Sequence, residues 1–385
     1  MEQFKVAKRL NKTEEYYFSK KLREIDELNK QGAKVINLGI GSPDLPPHET
    51  VIRKLNEIAV LPTSHAYQNY KGVPPLREAF AGWYRQYYQV ELNPDNEILP
   101  LMGSKEGIMH ICMTFLNEGD EVLIPNPGYP TYRSAAQLAG GICRDYDLKE
   151  ENSWLPDLTA LEQLDLTRVK IMWVNYPQMP TGATANKEFY QALIVFAKKH
   201  HILICHDNPY SFILNDNPAS MLAIAGAKDV VLELNSLSKS HNMAGWRIGM
   251  LAGRADLLQE ILRFKSNMDS GMFLGLQLAA AEALKLDESW YVSLNKIYAA
   301  RREKVFELLD RIGCAYNKRQ SGLFVWAKIP DNYADGYALS DELLQNARVF
   351  VTPGRIFGSN GNRWIRVSLC KEEQVFEEAI GRISV

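Results

Sequence analysis

Between roughly Met102 and Ala252 the chain alternates short, β-rich apolar runs with helical stretches, and few architectures accept that order. The runs are "EVLI" at 121, "KIMWV" at 170, "HILIC" at 201, "VVLEL" at 230 and "RIGMLAG" at 247. "KEFYQALIVFAKKH", from Lys187, reads as an amphipathic helix between two of them. Strands joined through helices return in the same direction. The expected fold class is therefore α/β, a layered unit around a mostly parallel sheet. From Trp290 a long helical pattern leads to "GLFVWAKI" at 322, a helix near 339, "RVFVTPG" at 348 and "WIRVSL" at 364, which predict a smaller α+β unit. The 385 residues suffice for both to bury cores. Near the start, "KKLREIDELNKQG" reads as a helix with a solvated face, stopped at Gly32.

The charge balance narrows the ligand. Lys and Arg number 44 against 46 Asp and Glu, and the formal net charge of −2 gives no long-range pull toward nucleic acid or an anionic membrane. A small molecule is the default partner. Cys112, Cys143, Cys205, Cys314 and Cys370 form no CxxC pair, so neither a disulfide framework nor a zinc site is expected, and a cytoplasmic location fits. The opening "MEQFKVAKRLNKTEEYYFSKK" has no apolar core, and no run of about 18 apolar residues occurs, so neither a signal peptide nor a membrane span is read.

Three polar stretches follow predicted strands: "NYPQMPTG" after "KIMWV", "HDNPY" after "HILIC", and "NSLSKS" after "VVLEL". In open α/β sheets ligands bind outside the carboxyl ends of the strands, so these stretches are candidates for one pocket. Lys239, among Ser236, Ser238 and Ser240 and followed by Arg247, is suited to hold a carbonyl cofactor as a Schiff base while hydroxyls and guanidinium take its phosphate. Out of context it would read as a surface lysine. Pyridoxal phosphate needs both functions, and also a carboxylate at its ring nitrogen. Asp207 is placed for that; an Asx turn before Pro209 is its other reading. Tyr210 is a candidate donor to the cofactor's phenolic oxygen, or a packed tyrosine. In "LMGSKEGIMHICMTFL", Gly103 allows a turn, and Ser104 and Lys105 open a helix whose free amides suit a phosphate, although a serine there is also an ordinary cap. Tyr129 in "NPGYPTY" offers a flat face for ring stacking, or a core aromatic.

Taken in order along the chain, from "VINLGIGSPDLPP" to "WIRVSL", this set resembles the fold type I, class I/II aminotransferases that use pyridoxal 5′-phosphate. The resemblance implies a three-layer large domain and a small domain built from both termini. Residues 1–45 would form the amino-terminal arm and the start of the small domain, 46–288 the large cofactor-binding domain, and 289–385 the carboxyl-terminal small domain. It also implies a homodimer with shared active sites, and a reaction that moves the amino group of an L-amino acid to a 2-oxo acid such as 2-oxoglutarate or pyruvate, by ping-pong half-reactions. By the same resemblance Lys239 binds the cofactor and shuttles the proton, Asp207 partners the ring nitrogen and Tyr210 the phenolic oxygen. Ser104, Lys105, Ser236, Ser238 and Arg247 are similar to the phosphate cup, and Tyr129 to the stacking aromatic. Tyr67 and Ser270 resemble residues that reach the partner subunit's phosphate. Arg366 resembles the arginine that clamps the α-carboxylate, and Gly41 the glycine beside it. "KSNMDSGMF" and "SKSHNMAGWRIG" resemble the subgroup of LL-diaminopimelate, alanine and methionine aminotransferases.

The family commonly reads Asn-Pro-Thr-Gly where this chain has Met179 before Pro180, Thr181 and Gly182. A thioether cannot donate a hydrogen bond, so either Asn175 or Gln178 replaces that donor or Tyr210 serves alone. For a dicarboxylic substrate Arg355 and Lys12 are the candidate second cations, and Tyr17 in the amino-terminal arm is the candidate cover. A carbon–sulfur β-lyase and a non-catalytic sensor domain share the scaffold and stand as alternatives. "SLSK" matches Ser-x-x-Lys without a Lys-Thr-Gly partner, and "GIGSPD" has Asp44 where a dinucleotide fingerprint needs glycine. The seven histidines form no metal pattern, and His206, one residue from Asp207 on a strand, should face away from it.

Overall fold

The computed structural model of the chain describes residues 4–12, 15 and 17–383. Its main sheet has seven strands: β1 Ile98–Leu101, β2 Glu121–Asn126, β3 Ile142–Asp147, β4 Val169–Asn175, β5 Leu203–Asp207, β6 Val231–Ser236 and β7 Gly249–Ala252. Their spatial order is β1-β7-β6-β5-β4-β2-β3, and only β7 runs against its neighbours. The expected α/β class with a mostly parallel sheet is what forms. Apolar runs without alternation follow from cover on both faces. Met172, Val174 and Ile204 pack into one hydrophobic cluster, and Ile171, Trp173 and Cys205 into another on the opposite side.

Two strands escape the sequence pattern, both at sheet edges. β3, "ICRDYD", is largely exposed and carries charges, so it shows little apolar signal. β1 is four residues long and holds Pro100, which an edge strand tolerates. The predicted helix from Lys187 spans Lys187–His200, capped by the Asn186 side chain on the Phe189 amide. The amino-terminal helix, α1, is Tyr17–Lys30, and Gly32 beyond it adopts φ +87°, the left-handed turn that stops the helix.

A second sheet is antiparallel, with β8 Ala315–Tyr316, β9 Phe324–Lys328, β10 Thr352–Pro353 and β11 Trp364–Ser368 in the order β10-β11-β9-β8. Ile36–Asn37 pairs in parallel with Val349–Phe350, so the amino-terminal segment joins the carboxyl-terminal elements. Leu38, Phe324, Trp326 and Ile365 share one apolar cluster there. The loop after Leu38 is tied down at two points. Thr352 donates to the Gly39 carbonyl at 2.9 Å. Arg301, on the helix Glu288–Arg311, grips Asp44 with two nitrogens at 2.7 and 2.8 Å.

Arg301 is buried and its carboxylate partner only partly exposed, so the fork between them is weakly screened. Arg301→Met should lower stability by about 2 kcal/mol, below the cost of a fully buried pair. Arg301→Lys should recover part of the loss. Urea unfolding midpoints at neutral pH check both.

Candidate active site

The carboxyl ends of β4, β5 and β6 open into a cavity of about 510 Å³. Asn175 ends β4, Asp207 ends β5 and Ser236 ends β6, and all three line it. A single helical turn, Leu237–Ser240, follows Ser236 and presents Ser238 and Lys239 to the same space. Ser236 caps that turn, its Oγ accepting from the Ser238 amide at 3.2 Å. Ser104 and Lys105 arrive from the start of the helix Ser104–Phe115, behind Gly103 at φ +83°. A Cβ on Gly103 would collide with the Arg247 guanidinium, so this glycine lets the arginine lie against the helix start.

Asp207 is 5% exposed. Its Oδ2 accepts from the Tyr132 hydroxyl at 2.8 Å, and its Oδ1 has no hydrogen-bond partner among the described residues. Burial pushes the carboxyl up to about 6, against the opposing pull of the Tyr132 hydrogen bond and the His206 charge. Lys239 donates to the Gly41 carbonyl at 2.7 Å, and burial brings its ammonium down to about 8. Burial, followed by the charge of Arg247, also lowers Lys105. Tyr210 and Tyr129 line the cavity, and burial raises the Tyr210 phenol far above its usual value.

Arg366, on β11, is 4% exposed and reaches the cavity from the antiparallel sheet. Its Nη2 donates to the Gly39 carbonyl at 2.8 Å, its Nη1 lies 3.2 Å from the Met179 sulfur, and its Cζ sits 3.8 Å from the centre of the Phe324 ring. Gly41 lies where a Cβ would strike that ring, so the glycine is needed for the loop to pass.

Residues 33–383 match the family model described as aminotransferase class I and II. The chain belongs to the class I and II aminotransferases. It is 41% identical to the LL-diaminopimelate aminotransferase of Dehalococcoides mccartyi over 99% of this chain and 98% of that one. It is 42% identical to the enzyme of that name from Maridesulfovibrio salexigens over the full length of both. Among solved structures, substrate-bound BacF from Bacillus subtilis matches with a TM-score of 0.93 and 38% identity, covering 99% of this chain and 97% of that one.

The aminotransferase uses pyridoxal 5′-phosphate, and the residues present fit it. The Asp207 oxygen that lacks a partner suits a protonated ring nitrogen, Lys239 suits an aldehyde, and Ser104, Ser238 and Arg247 suit a phosphate. No helix among the described residues is long and apolar enough to cross a membrane.

Four expected site residues lie elsewhere. Tyr67 is 90% exposed and Ser270 is exposed, both away from the cavity lining. Their segments meet, with Gly271 packed against the Gln68 and Asn69 carbonyls. Arg355 is exposed on the short 3-10 turn Gly354–Phe357 and does not line the cavity. Tyr17 turns to the ring of Tyr337, and its neighbour Phe18 faces the cavity in its place, because a helix sends adjacent residues to different sides. The side chain of Lys12 lies outside the described residues. Gln178 spends its amide on the Pro127 carbonyl and the Thr181 amide, and Asn175 donates to the Asp207 carbonyl at 2.6 Å.

Sequence reading missed Tyr132, three residues after Tyr129 on one helix face, and also Phe18, Leu22, Phe324 and Phe357. His206 does face away from Asp207's side chain, bonding Glu233 at 2.8 Å. Folding also gathers Glu106, His110 and Asp269, which no spacing revealed; Lys265 already places its ammonium 2.9 Å from Asp269.

A raised carboxyl favours the folded state while protonated. The contribution of Asp207 to stability is therefore present below its unfolded value of 3.8 and lost as pH rises through about 6. In protein stripped of cofactor, wild type measured against Asp207→Asn should lose about 2 kcal/mol between pH 4 and pH 8. A flat difference in unfolding midpoints would contradict the assignment.

Proposed function

We propose that this enzyme transfers the amino group of an L-amino acid to 2-oxoglutarate or pyruvate, with Lys239 as both cofactor anchor and proton carrier. The observation that carries the reading is one cavity lined by both Lys239, a half-buried amine whose ammonium is brought down to about 8, and Asp207, a buried carboxylate with one oxygen unpaired among the described residues. Pyridoxal phosphate, when bound, supplies a carbonyl that condenses with amines and a cationic ring that withdraws electrons from the α-carbon.

The remaining chemistry belongs to the chain. Asp207 holds the proton on the ring nitrogen, and Tyr132 keeps that carboxylate in place. Arg366 would take the substrate's α-carboxylate in its two-pronged donor geometry and so orient the α-carbon. Lys239 would carry the proton that leaves the substrate's α-carbon, a task that suits an amine whose ammonium loses its proton near pH 8. Ser104, Lys105, Ser236, Ser238 and Arg247 hold the phosphate, Tyr129 covers the ring, and Tyr210 donates to its phenolic oxygen without help from Met179. On this reading residues 46–288 carry the cofactor, and residues 1–45 with 289–385 close over it.

The same reading includes a homodimer. Tyr67, Tyr70 and Met268 are exposed apolar side chains, and the Tyr67 and Ser270 segments lie together, as residues completing a second subunit's site would. Cytoplasmic location accords with the free cysteines. LL-diaminopimelate, the substrate in the relatives' names, is one donor to try.

Mixed with one amino donor and no oxo acid, the enzyme should release one equivalent of 2-oxo acid per subunit and no ammonia. Continuous release of pyruvate and ammonia from a cysteine-type donor would instead identify a β-lyase. Lys239→Ala should abolish the turnover and the covalent attachment of cofactor. In wild type, the rate of cofactor capture should rise with pH through about 8, because the neutral amine is the nucleophile. Stopped-flow absorbance across pH 6 to about 9.5 measures it.

A further inference from the structure

We infer that the preferred amino donor carries an uncharged, apolar side chain, received by Phe18, Leu22, Ile40, Phe324 and Phe357. This rests on the proposed role of Arg366 as the clamp for the α-carboxylate, and it specifies what lies beyond that clamp.

The cavity lining is of two chemical kinds. Its charged lining residues among those described are Lys105, Asp207, Lys239, Arg247 and Arg366. The first four are the groups fitted for the cofactor: Arg247 lies against Gly103, its charge is felt by both Lys105 and Lys239, and Lys239 feels Arg366 as well. Arg366 itself is walled by phenyl rings. Its Cζ is 3.8 Å from the Phe324 ring centre, 4.6 Å from Phe357 and 5.5 Å from Phe18. A guanidinium sandwiched between ring faces is held in one plane, with its nitrogens directed edgewise. One of those nitrogens meets the Met179 sulfur, a weak acceptor that a substrate carboxylate outcompetes.

Beyond the rings, α1 contributes Phe18, Ser19 and Leu22, and the loop after Leu38 contributes Ile40 and Ser42. Leu22 is 39% exposed, an apolar side chain at the edge of a cavity. Among the described residues there, a second substrate carboxylate would leave water and meet two serine hydroxyls, Ser19 and Ser42. A distal ammonium would find Asp207 as the one carboxylate among the described lining residues, and that group is claimed by the cofactor's ring nitrogen. Charges buried without a partner are strongly disfavoured, whereas a hydrocarbon or aryl side chain gains from the same surroundings. Arg355, the one sequence candidate for a second cation whose side chain is described, points elsewhere. Three sequence features therefore act together: phenylalanine at 324 and at 357, and methionine at 179 where the family commonly has asparagine.

The test compares donors on the holoenzyme with one common acceptor: L-phenylalanine, L-leucine and L-methionine against L-glutamate, L-aspartate and LL-diaminopimelate. The best apolar donor should exceed every charged donor at least tenfold in kcat/KM. Calorimetry with unreactive acids gives a second readout, in which 3-phenylpropanoate or 4-methylpentanoate should bind at least tenfold tighter than glutarate. Leu22→Arg, on an exposed helix position, should narrow the ratio by raising KM for phenylalanine and lowering it for glutamate. Phe357→Leu should weaken phenylpropanoate binding while leaving the preference apolar. Equal or better transfer from glutamate or LL-diaminopimelate, or tighter binding of glutarate, overturns the inference and leaves the aminotransferase reading intact. Absence of transfer from every donor overturns that reading, and this inference with it.

Discussion

Asp207 ends a strand that is covered on both faces, and a carboxylate in such a place has to be answered by donors or by a cation. Tyr132 satisfies one oxygen, stacked flat on Trp173 at 4.9 Å so that its hydroxyl has little freedom. The other oxygen waits for a ligand. The rest of the site is arranged around that demand: a lysine one strand away, hydroxyls at the next strand end, and a helix start carrying Ser104 and Lys105. Because the flanking strands are parallel, their ends arrive together, and four separated stretches of chain reach one cavity without long loops.

The same sheet explains why the opposite side of β5 is equally polar. His206, next to Asp207, points into the other layer and pairs with Glu233, which also accepts from Tyr84, Ser220 and the Met221 amide. Glu233 is buried, and those four donors make its charge tolerable there. The network fastens β5 to β6 from behind, so the two strands that present Asp207 and Lys239 are held in register by polar contacts as well as by their ladder.

The antiparallel sheet supplies a different kind of surface. Arg366 lies opposite Trp326 on the neighbouring strand and diagonal to Phe324, two residues along, so aromatic rings and a guanidinium share a face. The loop carrying Gly39 and Gly41 runs against Arg366 and Phe324, accepting from the arginine at Gly39 and passing the Phe324 ring at Gly41, fixed by Thr352 and Arg301. The charges fitted to the cofactor come from the main-sheet unit, and the rings around Arg366 come from α1 and the carboxyl-terminal elements.

The sequence by itself determined the layered α/β class, because strands buried on both faces read as continuous apolar runs. It also determined the residues at their ends, because Asp207, Ser236 and Lys239 each follow such a run directly. Position in the chain is enough when a strand delivers the residue. The edge strands were illegible, since exposure removes the apolar signal, and so were residues delivered by packing between distant elements. Phe18 rather than Tyr17 faces the cavity because the rotation of α1 is set by what it packs against. The ring of Phe324 meets Arg366 only through strand register. The segments that carry Tyr67 and Ser270, 203 positions apart in the chain, meet because Gly271 lets the backbone approach Gln68 and Asn69. Local pattern fixes which residues are offered to the site; tertiary packing alone decides which way they face and what they meet.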